Sequence, residues 1–328
     1  MPEPDLVLPP CHGLIAGWRL APGAPPESLT AEAVARLAAA GEAGLWLHFD
    51  LVDARARGFV QALPGLHPSA RAALVEAEEA TRIEAAHGAL FGCLPDIHYD
   101  AAEADAPPIG MLHFALTHRL LVTARRHPLR GVHLALQEPT ASDPAEALGS
   151  VLHAALLEFH RAIARAGARL VAVEDQMLRD TGRLPRDALV AVRREALRLS
   201  RHLDPLSEAL DSVTEEVPAD LKGMAAPILR EERRTRAAAR ALRGISERGR
   251  IAQDQAAARA TEETNRRLLV LSVISAAMLP ASLVAGIFGM NVGGLPGVEE
   301  PSGFAMAMSL IGASVAGVLL ALRLGRLL

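Results

Sequence analysis

Cysteine is nearly missing from this chain: Cys11 and Cys93 are the only two in 328 residues. That count leaves no disulfide framework, and two thiols so placed make no zinc-site pattern. There is no excess of basic charge either. A net charge of -4 and a pI near 6.3 give no sign of a nucleic-acid partner. Residues 1–10 lack the basic start and long apolar run of a signal peptide, so membrane insertion is expected to depend on segments further along. No Gly-rich phosphate loop, nucleophile motif or paired His-Glu metal signature occurs, which argues against an enzyme and a bound cofactor.

The most informative absence is of charge. Residues 268–288 run for 21 positions without an ionisable side chain, and residues 303–322 for 20. At about 1.5 Å rise per residue each is long enough to cross a hydrocarbon core of about 30 Å. A proton relay built from intramembrane carboxylates is excluded by the same absence. Charge returns at the flanks. Between Arg230 and Arg267 there are 11 Arg against 6 acidic residues, Arg266 and Arg267 abut the first segment, and Arg323 and Arg326 follow the second. The loop between the segments carries Glu299 and Glu300 instead. Positive flanks stay in the cytoplasm, so both termini are expected inside and the loop outside.

Upstream of the spans the reading is mixed. Short apolar or alternating runs at 13–20, 44–50, 82–86, 89–98, 111–117 and 119–125 predict strands. Ala-rich helical spacing predicts helices over 31–40, 54–63 and 68–80. Helical patterning then takes over at 145–179 and from Pro185 to Glu216, separated by Asp180-Thr181-Gly182-Arg183. No proline follows Pro227 until Pro280, which predicts one helix from Ile228 to Phe288, about 90 Å long. A helix of that length needs partners, in a bundle or in copies of itself.

The expected fold class is a cytoplasmic α/β domain with long helices and two C-terminal transmembrane helices. The expected division is an α/β domain at 1–143, an antiparallel helix hairpin at 144–217 and a stalk helix at 218–267. A first transmembrane helix follows at 268–291, then an external loop at 292–302, a second span at 303–322 and a cytoplasmic tail at 323–328.

In the first span Leu268, Leu271, Ser275, Leu279, Ser282, Gly286 and Gly289 recur at steps of three and four. Several copies around an axis would turn this stripe into a channel with leucine collars and serine rings. The same stripe serves equally to pack helix against helix. Ser309, Ala313 and Gly317 in the second span have the spacing of a packing face. Asn291 stands where the first span should end, either as a helix C-terminal residue or as an amide that meets the hydration water of an entering cation. Glu299 and Glu300 serve loop solubility or draw cations to that mouth. All 12 histidines lie before residue 203, so imidazole ligation of metal is not available in the spans. Asp96, His98 and Asp100 make a small cluster with metal-ligand chemistry, although strand-end and loop roles account for them as well.

Gly289-Met290-Asn291 ending the penultimate span, with a short acidic loop and one last span, resembles the CorA-type divalent cation transporters. Asn265-Arg266-Arg267 before the span, Leu279-Pro280 and Ala285-Gly286-Ile287-Phe288 within it, and Glu174-Asp175 and Arg201-His202-Leu203 upstream extend the likeness. Val292-Gly293-Gly294-Leu295-Pro296-Gly297, together with Trp46-Leu47-His48-Phe49-Asp50 and Leu120-Leu121-Val122-Thr123-Ala124-Arg125-Arg126, is similar to the ZntB-like zinc branch. The resemblance implies a homopentameric funnel in a bacterial inner membrane, surrounding a pore for divalent cations. Gly289, Met290 and Asn291 would form its entrance filter, and Leu268, Leu271, Leu279 and Ser282 would fall on its lining. It implies Zn2+ as the transported ion, with coupling to protons conceivable. Mg2+, Co2+ or Ni2+ through the same pore is the alternative within that class, and a membrane-anchored regulatory or scaffold protein the alternative outside it.

Overall fold

A computed structural model describes residues 8–76, 80–101, 108–179, 186–290 and 302–325. The chain divides into two compact units, Met1–Ala252 and Gln253–Leu328.

The first unit is built on one seven-stranded sheet. Its strands are β1 (Leu14–Arg19), β2 (Glu27–Ser28), β3 (Leu45–Asp50), β4 (Arg82–Ala86), β5 (Ala89–Ile97), β6 (Ile109–Leu116) and β7 (Leu120–Arg125). They lie in the order β2-β1-β3-β7-β6-β5-β4, antiparallel throughout except for the β3–β7 pair. Strand β3 reads Leu-Trp-Leu-His-Phe-Asp and is buried almost end to end, which a strand covered on both faces requires. Leu45, Leu47 and Phe49 belong to a core shared with α1 (Ala31–Ala39), α2 (Ala54–Ala62) and α3 (Pro68–Val75). Because successive side chains alternate, Trp46 and His48 point to the opposite face. There the Trp46 indole Nε1–H donates to Thr123 Oγ1 at 3.1 Å, and His48 Nδ1 lies 2.9 Å from the same oxygen.

Helices follow the sheet: α4 (Arg130–Gln137), α5 (Pro144–Arg179), α6 (Arg186–Glu216) and α7 (Lys222–Leu229). Helix α5 buries a stripe that includes Leu148, Leu152, Phe159, Ala166 and Leu170. Charged groups buried along these helices are paired: Glu158 takes Arg130 at 3.2 Å and Arg161 at 2.5 Å, and Glu195 is bound by Arg169. The turn expected at 180–183 lies outside the described residues.

One helix was expected from Ile228 onward. Instead α7 ends at Leu229 and α8 runs Glu232–Phe288, an unbroken 57 residues. No glycine or proline marks the break. The buried Glu231 carboxylate is held there by His153 of α5, at 3.1 Å, and by Arg234, at 3.0 Å. In the second unit α8 is joined by α9 (Gly303–Leu324).

Candidate functional site

Helix α8 carries the residues singled out from the sequence. At about 100° per residue, positions 268, 271, 275, 279, 282, 286 and 289 fall within an arc of roughly 80°. Their side chains are uncovered: Leu268 is 54% exposed, Leu271 60% and Leu279 72%. None of the most apolar 18-residue window of α8, or of α9, is buried within the chain. Both helices are long and apolar enough to cross a membrane. Apolar surface on this scale needs lipid or other chains to cover it.

Hydroxyls on α9 turn back onto their own helix. Ser309 Oγ donates to the Ala305 carbonyl and Ser314 Oγ to that of Ile311, both at 2.8 Å. This satisfies them without a partner from outside, as an apolar environment demands. Pro280 sits inside α8 and brings no N–H, so the Ala276 carbonyl loses its intrahelical donor.

At the far end of α8 the Gly289 N–H donates to the Ala285 carbonyl at 2.9 Å, and the Met290 N–H to that of Ile287 at 3.3 Å. The last turn is thus closed by a tighter, three-residue step. A side chain at Gly289 would place its Cβ 3.1 Å from the Ala285 carbonyl oxygen, a reason for glycine at this position. The final carbonyls of a helix carry partial negative charge. The end of α8 therefore favours a cation in front of it without any side-chain carboxylate. Asn291, Glu299 and Glu300 lie outside the described residues. At the other end of the apolar stretch stand Arg266 and Arg267, the latter 3.5 Å from Glu263, and Arg323 ends α9.

The Asp96, His98 and Asp100 cluster is not a metal centre in this structure. Both oxygens of the buried Asp96 carboxylate accept backbone N–H groups: Oδ1 those of Ile97 and Gly131 at 2.7 and 2.9 Å, Oδ2 that of Val132 at 2.9 Å. Asp96 thereby caps α4, and burial pushes its carboxyl up to about 6 against the opposite pull of those donors. Among the described residues no three His, Cys, Asp or Glu side chains converge to hold a metal. Sequence reasoning missed this cap because the acceptor lies 35 positions from the helix it serves.

Comparison with known proteins bears on the whole chain. The family model described as CorA-like Mg2+ transporter protein matches residues 41–326. The divalent cation transporter CmaX of Pseudomonas aeruginosa is 27% identical over 310 residues, covering 92% of each chain. The zinc transport protein ZntB of Pectobacterium atrosepticum is 26% identical over 275 residues, 79% of this chain and 80% of that one. The solved structure of full-length CmaX superposes with a TM-score of 0.79 at 25% identity, covering 96% of this chain and 98% of that one.

Proposed function

The chain belongs to the family of CorA-like Mg2+ transporter proteins, and on that premise we propose that it carries Zn2+ through a central pore lined by α8. The observation that carries the proposal is the exposed stripe of Leu268, Leu271, Ser275, Leu279, Ser282 and Gly286 on an unbroken helix that ends at Phe288, just before Gly289-Met290. Five copies around one axis would turn the stripe inward, place leucine collars that gate by dewetting, and ring Ser275 and Ser282 as water-binding steps. Gly289, Met290 and Asn291 form the entrance filter, where helix-end carbonyls and the Asn291 amide hold the hydration shell of an entering ion. Glu299 and Glu300 raise the local cation concentration. The protein sits in the bacterial inner membrane with both ends in the cytoplasm, as Arg266, Arg267 and Arg323 favour.

Support for zinc comes from the Val292-Gly293-Gly294-Leu295-Pro296 loop and from the likeness to ZntB. It does not come from ligands: zinc prefers imidazole, thiolate and carboxylate, and the stripe offers none. The ion therefore passes hydrated, a mode that magnesium tolerates equally well. Mg2+ is the second reading, and the name of the family favours it.

Metal flux into proteoliposomes, Zn2+ against Mg2+, tests both. Zn2+ flux that disappears in Asn291→Ala, with assembly intact, is the expected result. Mg2+ flux without Zn2+ flux would transfer the proposal to the second reading. Flux indifferent to Asn291→Ala would remove the filter and leave the spans as an anchor.

A further inference from the structure

At the end of the sheet where β3 and β7 begin, the first unit has a cleft of ≈ 280 Å³. Its floor is apolar: Ala38, Leu45 and Leu120 belong to the core between the sheet and α1–α3, and the cleft opens onto them. Its wall is nearly bare of side chains. Gly41 follows α1, Gly65 lies between α2 and α3, and Gly88 is in the β4–β5 turn, at left-handed φ of 63°, 76° and 72°. A Cβ added at Gly65 or Gly88 would meet no atom within 4 Å, so space stands open beside both loops. His67 and His87 tie these two loops together, their rings stacked with centroids 3.7 Å apart. Polar side chains are few and sit at the rim. Arg119, in the β6–β7 turn, donates from Nη2 to the Gly41 carbonyl. Its backbone is anchored as well: the N–H donates to Thr117 Oγ1 at 3.3 Å, and the carbonyl accepts the N–H of Gly44 at 2.8 Å. Glu42 lines the same cleft, but its carboxylate is taken by Arg19 at 2.7 Å. Among the described residues no carboxylate pairs with Arg119 in the same way. Two guanidiniums thus face one carboxylate, and the rim is left positive, with His118 beside it.

We propose that this cleft binds a small organic anion, its apolar body on the Leu45 and Leu120 floor and its carboxylate or phosphate group on Arg119. An apolar concavity with a few placed polar groups is the usual form of a small-molecule site. A guanidinium carries more N–H donors than the Gly41 carbonyl takes, and its planar fork matches the oxygens of a carboxylate or phosphate. The bond to Gly41 holds that fork in place before a ligand arrives, which lowers the ordering cost of binding. The class is bounded on both sides. A bare inorganic anion leaves the apolar floor unused, and an uncharged apolar molecule leaves the guanidinium unused. The site lies within the first unit and shares no residue with the spans.

4-Fluorobenzoate is a probe of that class with a signal of its own. Titrated with purified full-length protein, its fluorine resonance is expected to broaden, and hydrogen exchange to slow in peptides covering residues 38–45 and 117–120. Arg119→Gln should weaken binding about tenfold or more, the share of a charged hydrogen bond. Arg119→Lys, which keeps the charge and loses the fork, should restore part of it. Arg55→Gln, beside Asp53 at the other end of β3, should bind as wild type does. Benzoate and phenyl phosphate should displace the probe, the stronger of them naming the head group, while inorganic phosphate should displace it poorly. Undiminished binding in Arg119→Gln would overturn the site, as would equal broadening of 4-fluorobenzyl alcohol or equal displacement by inorganic phosphate. A loss as large in Arg55→Gln would also overturn it. Tryptophan-detected unfolding checks that Arg119→Gln is folded. Should it not be, the exchange map of the wild type decides: protection absent from 38–45 and 117–120 would overturn the site. Binding is read here without flux, so the result stands apart from what the spans conduct.

Discussion

The two units of this chain handle the same kinds of side chain in opposite ways. In the first, Leu47, Phe49 and Phe159 are fully buried by their own chain, and the buried polar groups Thr123, Asp96 and Glu158 have named partners. In the second, Leu279 is 72% exposed and Phe304 79%. The difference is not one of hydrophobicity but of who supplies the covering surface. A leucine buried by its own chain contributes about 2 kcal/mol to folding. A leucine left bare on a long helix is meant for lipid or for another copy, and its contribution appears only in assembly. Changes in the first unit should therefore read out as stability, and changes in the second as transport.

The largest effect expected is on the second unit. With Cys11 and Cys93 replaced, single cysteines placed at Leu271 or Leu279 should react with a water-soluble, charged thiol reagent, and the reaction should block flux nearly completely. Cysteines at Val270, Ala277 or Val284, about 140–180° around the helix from the middle of the stripe, should stay unreactive to it. Equal labelling on both sides of α8 would remove the pore and leave packing as the reason for the stripe. Tryptophan-detected unfolding should not move in any of these variants, since Trp18 and Trp46, the only two in the chain, both belong to the first unit.

A smaller effect belongs to the first unit. Thr123→Val keeps the shape but removes the oxygen that the Trp46 indole and the His48 ring share. Two buried polar groups lose a partner, at a cost of about 2 kcal/mol or more. The midpoint of tryptophan-detected unfolding should fall accordingly while flux per assembled protein is retained. An unchanged midpoint would mean that water replaces the hydroxyl, and that the burial is less strict than the geometry says.

How much of this was legible beforehand follows the same division. Strands such as β3 and β7, and the long helices α5 and α8, announce themselves by local composition and period, and the terminal spans by the lack of charge. The features that escaped are those made by distant residues. Helix α4 has no side-chain cap of its own before it, since its N–H groups go to Asp96. The break between α7 and α8 has no Pro or Gly at Arg230-Glu231, and it coincides with His153, 78 positions away, bonding to Glu231. For Asp96, His98 and Asp100 the sequence left a structural role open beside the metal-ligand one, and Asp96 has the structural role, as an acceptor for N–H groups far along the chain. The helical stripe of the first span could be read from period alone, but period does not say which face meets water. That information lies between copies of the chain and not within one.

The smallest effect expected is one of slope, and it sharpens the comparison because only a sealed interior can produce it. Burial, with the positive Arg125 nearby, lowers His48 from 6.5 to about 3, and burial raises Asp96 from 3.8 to about 6. His48 stays neutral in the fold while the unfolded chain takes up a proton below about 6.5, so its contribution to stability is lost as pH falls through that range. Asp96 works in the other direction. The fold takes up its proton near pH 6 and the unfolded chain only near 4, so stability gains as pH falls between them. Between about pH 4 and 6 the two proton uptakes cancel, and the pair leaves stability level. Asp96→Asn should uncover the His48 slope, a fall approaching 1.4 kcal/mol per pH unit on acidification. His48→Gln should uncover the opposite slope, a rise of similar size. Chemical denaturation followed at the tryptophans, from pH 4 to 6, measures both against the wild-type baseline. If the two variants run parallel to wild type, His48 and Asp96 titrate as solvent-exposed groups do. The first unit would then share the openness of the second, and the contrast between them would be one of packing alone.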